Sequence, residues 1–172
     1  MAIEKLCILR HGLYEAETQR LIPEGIPYVR ESGKLIEKLL NPENPWNIAF
    51  LAGMHLRCIE TTQIVMNEFK SWDNFGIYAL PLFNPSREGD FEGSLKQAYE
   101  YIQKQLLGSV KSVFLSTSLH SVNGLTRIIL KESGMEYESI IKKDENPLRY
   151  AEGYFIDLKT KEAKFISSNT RQ

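Results

Sequence analysis

The sequence has few cysteines, no long apolar run and no excess of charge of either sign. Cys7 and Cys58 are its only cysteines, too few for a disulfide framework and consistent with reduced, packed thiols. Its apolar stretches are far shorter than the roughly 20 residues that a membrane helix needs. Lysine and arginine number 21 against 22 acidic residues, so nothing attracts nucleic acid. We therefore expect a globular protein without membrane or nucleic-acid partners; the oligomeric state stays open.

Several catalytic signatures are also missing. A cysteine phosphatase needs an arginine six positions after its cysteine, but Leu13 and Ile64 stand at that spacing. Neither the Gly-x-Ser-x-Gly segment of serine hydrolases nor a Walker-type phosphate loop occurs. A zinc site made by His11, His55 and His120 is disfavoured, since no His-Glu-x-x-His helix motif is present and arginines beside a metal cation would be unfavourable. We expect neither a metal nor a cofactor.

No linker, repeat or low-complexity segment divides the 172 residues, so a single domain over 1–172 is expected. With 42% hydrophobic residues, the chain can fill an adequate core. Glu4 and Lys5 fall inside what would be the apolar centre of a secretory signal. The cytoplasm is therefore the expected location.

Strand and helix patterns alternate along the chain. Strands are predicted at 3–9, 47–52, 76–80 and 110–116, with a terminal hairpin of 152–157 and 163–167. Helices are predicted at 30–40, at 55–69, from a capping box at Ser94 and Gln97 to Gly108, and from His120 to Gly134. This order predicts an α/β fold, a three-layer αβα sandwich whose mostly parallel central sheet carries a C-terminal antiparallel hairpin.

Three polar positions follow strands of this predicted sheet. Arg10-His11-Gly12 comes directly after the first strand, Arg57 begins the helix after the second, and His120 begins the helix after the fourth. Carboxyl ends of parallel strands share one edge of a sheet, and helix N-termini at that edge favour anions. The sequence therefore predicts a phosphate site there.

The order of these motifs resembles the histidine phosphatase superfamily, which includes the cofactor-dependent phosphoglycerate mutases and many small phosphatases. Leu9-Arg10-His11-Gly12 resembles its defining motif, and Leu56-Arg57 with Thr61 resembles its second-arginine helix. The segment 87–93 is similar to its acidic loop, and 113–127 to its strand, second histidine and helix. The likeness spans about residues 3 to 166.

The resemblance implies a metal-independent phosphomonoester hydrolase acting on a small phosphorylated substrate. His11 would be the nucleophile that forms a phosphohistidine, and Arg10, Arg57 and His120 would clamp the phosphoryl group. Both arginines would lower the pKa of His11 and so keep the imidazole neutral. Glu88 is preferred over Glu92, in the same loop, as the acid that protonates the leaving alcohol.

Other positions depart from the family pattern. Leu13 and Glu17 replace a glutamate and an asparagine common after the first histidine in the mutase-like branch, and Gly53-Met54 replaces a Ser-Pro pair. Ser121 stands where glycine commonly follows the second histidine. A divergent member is expected. Three alternatives stay open: a non-catalytic phosphate-binding protein, a phosphohistidine phosphatase, and a mutase-like phosphotransferase, which the short chain disfavours.

Overall fold

The computed structural model describes residues 3–42, 47–69, 76–86, 89–104, 106, 110–142 and 147–168. These residues form one six-stranded sheet in the order β3-β2-β4-β1-β5-β6. The strands are β1 Lys5–Arg10, β2 Ile48–Ala52, β3 Ile77–Ala79, β4 Ser112–Thr117, β5 Gly153–Asp157 and β6 Glu162–Ile166. Strands β1 to β4 are parallel, whereas β5 pairs antiparallel with both β1 and β6. The predicted mostly parallel sheet with a C-terminal antiparallel hairpin is confirmed.

Two pairs of helices cover the two faces of the sheet. The helices are α1 Ile26–Leu40, α2 Leu56–Glu68, α3 Phe91–Lys104 and α4 Leu119–Glu132. Alternate residues of β1 point to opposite faces: Leu6 and Ile8 pack with α3 and α4, while Cys7 and Leu9 pack with α1 and α2. Each face thus has its own apolar core, and the predicted αβα sandwich is confirmed.

Helix α1 begins four residues before the predicted start at residue 30. Pro27 stands in its first turn, where its fixed φ suits a helix and its missing N–H costs nothing. The helix ends at Asn41, whose backbone is left-handed, with φ of 34°.

Helix α3 also begins earlier than predicted, and the predicted capping box at Ser94 and Gln97 is wrong. The carboxylate of Asp90 accepts a hydrogen bond from the Gly93 N–H, and its backbone carbonyl accepts one from the Ser94 N–H. Asp90 therefore caps the helix one turn before Ser94, which lies within the first turn instead.

None of the described helices is long and apolar enough to cross a membrane. Cys7 and Cys58 are both buried and unbonded, and burial raises the pKa of each thiol. They serve as apolar core residues, as the sequence predicts.

Candidate active site

His11 lies at the carboxyl end of β1, in the middle of the sheet. The backbone N–H of His11 donates to the Thr117 carbonyl at 3.0 Å. This bond lies immediately beyond Arg10 and Thr117, the paired residues that end β1 and β4. Only 4% of His11 is exposed. The sheet edge predicted to bind an anion therefore carries a buried imidazole between two parallel strand ends.

The hydrogen bonds of His11 define its tautomer. Nδ1 lies 2.9 Å from the Gly12 carbonyl, which can only accept, so Nδ1 carries the proton. Nε2 lies 3.1 Å from Nε of Arg57, which can only donate, so Nε2 carries the lone pair. The ring is thus a neutral imidazole whose lone pair is fixed in direction.

Burial and positive charge keep this imidazole neutral. The pKa of His11 is lowered from 6.5 to about 4: burial is the largest cause, the charges of Arg57 and Arg10 act in the same direction, and the Gly12 hydrogen bond opposes them. The predicted influence of both arginines on the His11 pKa is present, although burial is the larger cause.

The low pKa has a consequence for stability that can be measured. Between pH 6.5 and about 4 the unfolded chain takes up a proton at His11 that the folded protein does not. This residue therefore lowers the free energy of unfolding as the pH falls through that window, by roughly 3 kcal/mol in total. An NMR titration of the imidazole protons, assigned with a His11→Asn variant, is expected to show His11 changing only near pH 4. A midpoint near 6.5 would contradict the buried, neutral state.

Thr61 joins the start of α2 to the segment that follows β1. Its Oγ1 accepts the Gly12 N–H at 3.0 Å and donates to the Arg57 carbonyl at 2.6 Å. Gly12 has no room for a side chain, because a Cβ there would lie 2.6 Å from Cγ2 of Val29. One hydroxyl thus fixes the backbone of the Arg-His-Gly motif against the helix that carries Arg57.

Replacing Thr61 by valine is expected to lower the free energy of unfolding by about 1–3 kcal/mol, because the buried Gly12 N–H loses its acceptor. Urea denaturation measures this. Thr62→Val is the matched control: Thr62 is equally buried, but its described hydrogen bonds only donate to carbonyls, of Leu51 and Cys58. Equal losses in the two variants would show that the Gly12 contact has no special importance.

Two tyrosines hold the guanidinium groups of the site. The Arg10 guanidinium carbon lies 4.1 Å from the centre of the Tyr150 ring, and that of Arg57 lies 4.3 Å from the centre of the Tyr14 ring. Both rings also pack on His11, with centroid separations of 5.0 Å for Tyr14 and 5.8 Å for Tyr150. The imidazole is thus enclosed by two cations and two aromatic rings.

Tyr150 is a site residue that sequence reasoning missed. It belongs to a turn just before β5, and this turn is bound to the end of β1 because the Ala151 N–H donates to the carbonyls of Arg10 and His11. Ala151 has a left-handed backbone, with φ of 58°, and its carbonyl accepts the Ser32 hydroxyl at 2.7 Å. The antiparallel hairpin could have indicated this position of Tyr150, because a strand that pairs antiparallel with β1 must begin where β1 ends.

Each arginine has a buried N–H without a partner. Arg10 donates from Nη1 to the Leu148 carbonyl, but its buried Nε has no partner among the described residues, and neither has the buried Nη1 of Arg57. A buried donor left unpaired costs about 1–3 kcal/mol, more when it is charged. Two such donors on the arginines beside one imidazole favour an anion, because an oxyanion is the partner that a charged N–H donor pairs with most strongly.

The roles predicted for the remaining site residues, His120 and Glu88, are not tested by the described contacts. His120 is an exposed residue in the first turn of α4 and lines a cavity of about 660 Å³ with Phe91, Asn123 and Arg127. Ser118 follows Thr117, the residue paired with Arg10, and its hydroxyl is hydrogen bonded to that of Ser121. The place of His120 in the phosphate clamp stays a prediction.

Glu88, the predicted acid, lies outside the described residues. The other two acidic residues of its loop have described partners, because Asp90 caps α3 and Glu92 forms an exposed ion pair with Lys96 at 3.4 Å. The choice of Glu88 over Glu92 stays a prediction. Among the described residues, no group of three or more His, Cys, Asp or Glu side chains could hold a metal ion.

The fold matches solved structures that share little sequence with this chain. The protein histidine phosphatase SixA complexed with tungstate is 18% identical, with a TM-score of 0.57, over 95% of this chain and 97% of that one. Phosphoglycerate mutase from Bacillus anthracis str. Sterne is 12% identical, with a TM-score of 0.65, over 96% and 93%. A mycobacterial glucosyl-3-phosphoglycerate phosphatase is 10% identical, with a TM-score of 0.61, over 98% and 100%.

No protein-family model and no curated protein matches the chain in sequence. The chain nevertheless has the fold of the histidine phosphatase superfamily. The fold that the resemblance of its motifs implies is therefore confirmed. The identity to these structures is 10–18%, so the likeness is one of fold.

Proposed function

We propose that the protein hydrolyses phosphomonoesters through a phosphohistidine formed at Nε2 of His11. The observation that carries this proposal is the state of His11: a neutral imidazole whose lone pair is directed at Nε2, between two guanidinium groups with unpaired buried N–H donors. Neutral imidazole is a competent nucleophile, and the arginines supply the charge that a metal ion supplies in many phosphoryl transfers. Similarity to structures described as phosphatases supports the same conclusion.

Substrate binding requires Arg57 to change its partner. In the described structure the Nε–H of Arg57 donates a hydrogen bond to the lone pair on Nε2 of His11. When a phosphoryl group binds, the same N–H would donate to one of its equatorial oxygens instead. The released lone pair then attacks phosphorus as the bond to the leaving alcohol breaks. The Nδ1–H bond to the Gly12 carbonyl stabilises the positive charge that develops on the phosphorylated ring.

Two proton transfers complete the proposed cycle. The departing alcohol oxygen takes a proton from Glu88, and the resulting carboxylate then accepts a proton from the attacking water. Water adds to phosphorus, the bond to Nε2 breaks, and inorganic phosphate and neutral His11 are regenerated. Arg10 and Arg57 neutralise the phosphoryl oxygens in both steps.

Turnover of 4-nitrophenyl phosphate in EDTA, with alkaline quenching and peptide mass spectrometry, tests the proposal. We expect activity that survives chelation and a transient phosphoryl group on the peptide containing His11. Activity that disappears on chelation, or a label on another residue, would contradict it.

A second candidate is a phosphate-binding protein without turnover. The observation that favours it is the occupied lone pair of His11, since an Arg57 that stays on Nε2 would leave a pocket that binds anions and performs no chemistry. Saturable tungstate binding without hydrolysis of any phosphomonoester would establish this function in place of the first.

A further inference from the structure

A second cavity, of about 390 Å³, borders the candidate active site on the β5 side. Arg10 and Tyr150 line it, and both also contact the surroundings of His11. The other apolar walls come from Leu13, Tyr28 and Leu148. The cavity therefore adjoins Arg10, a group proposed to hold the phosphoryl oxygens.

The buried carboxylate of this cavity already has hydrogen-bond partners. Glu152 is 5% exposed, and its Oε2 accepts from Nζ of Lys142 at 3.1 Å and from the Arg149 N–H at 2.7 Å. Its Oε1 accepts the Ser167 hydroxyl at 3.0 Å. Both carboxylate oxygens are thus engaged, and Ser167 is engaged with them.

This pairing favours an apolar ring over a sugar as the organic group that the cavity binds. The hydroxyls of a sugar or sugar acid would need partners inside the cavity, and the buried Glu152 carboxylate and the half-buried Ser167 hydroxyl already have theirs. The exposed Glu24 and Arg149 lie at the rim. An apolar ring, by contrast, buries its surface against the rings of Tyr28 and Tyr150 and the side chains of Leu13 and Leu148.

We propose that this cavity binds an aromatic ring carried by the alcohol of the phosphomonoester substrate. The inference rests on the proposed function, which supplies the phosphomonoester group. It adds only which organic group is bound beside that phosphomonoester. It places ring recognition on Tyr28 and Leu13, which contact neither His11 nor the arginines in any described hydrogen bond or ring contact.

Binding of two unreactive phosphonates tests the inference without turnover. Benzylphosphonate carries a ring and ethylphosphonate does not, and calorimetry measures both affinities for the full chain. Wild type is expected to bind the benzyl compound about tenfold or more tightly, because only the ring fills the cavity. Tyr28→Ala is expected to remove most of that preference, and Tyr28→Phe to retain it.

Two further variants make the result decisive. Leu13→Gln adds a polar group to the same wall and is expected to reduce the preference even if Tyr28→Ala does not fold. Tyr78→Ala removes a tyrosine that is 56% exposed on β3 and is expected to change nothing. Equal affinity of wild type for both phosphonates, or an unchanged preference in Tyr28→Ala and Leu13→Gln, would overturn the inference.

Turnover of benzyl phosphate and ethyl phosphate separates this inference from the proposed function. Their alcohols are of similar acidity, so a higher kcat/KM for the benzyl ester reports ring binding. A preference in phosphonate binding without hydrolysis of either ester would support the cavity and contradict the proposed function. Equal hydrolysis of both esters would contradict the cavity alone.

Discussion

Replacement of His11 by asparagine is expected to lower metal-free turnover of 4-nitrophenyl phosphate by about 10⁴-fold or more. Asparagine fills much of the imidazole volume and can still pair with Arg57, but it offers no nucleophilic lone pair. We expect no other side chain to replace it, because Nε2 of His11 is the lone pair that the described structure pairs with Arg57. Steady-state kinetics measures the loss, with circular dichroism as the test of folding.

His55→Asn is the matched control. His55 is an exposed residue at the N-cap of α2, and its side chain makes no capping hydrogen bond there. Asparagine suits that position, so folding and turnover are expected to stay within about twofold of wild type. If His11→Asn kept wild-type activity while folded, the histidine-nucleophile mechanism would be excluded.

Replacement of Arg57 by alanine is expected to lower kcat/KM by about 10²- to 10³-fold, the usual result of removing one preorganised donor from a charged transition state. The variant loses a donor to the phosphoryl group and the positive charge that helps to lower the pKa of His11. The imidazole should therefore titrate at higher pH than in wild type, and NMR measures this shift in the same sample.

Arg57→Lys and Arg30→Ala separate the causes of that loss. Lysine keeps the charge but has no planar fork, so an activity between alanine and wild type is expected. Arg30 is an exposed arginine of α1, and its replacement is expected to leave kcat/KM unchanged. An Arg57→Ala variant with wild-type kcat/KM would show that Arg57 does not contact the phosphoryl group during turnover.

The fold could be predicted because strand and helix periodicities are local properties of the sequence. The alternation of Leu6 and Ile8 with Cys7 and Leu9 already indicates a strand buried on both faces, and the structure gives each pair its own core. Helix starts were less predictable. Ser94 and Asp90 are both good capping residues, and only packing decides which one begins α3.

The candidate site was predictable only in part. Arg10 and His11 are adjacent in sequence, and Arg57 follows from the position of the second helix, so the structure brings these three together as expected. Tyr150 lies far along the chain and reaches His11 through the antiparallel pairing of β5 with β1. The hairpin pattern indicates where β5 begins, but the residue that meets His11 depends on the register of two strands that are far apart in sequence.

The hydrogen bond from Arg57 to Nε2 also affects how readily His11 reacts with compounds other than phosphomonoesters. A lone pair that is already engaged, on a ring that is 4% exposed, is a poor target for small electrophiles and stray acyl donors. Only a ligand that attracts the guanidinium more strongly than imidazole does can expose this nitrogen, and dianionic phosphate has that property. In the resting protein the arginine that is proposed to bind phosphate therefore also shields the proposed nucleophile.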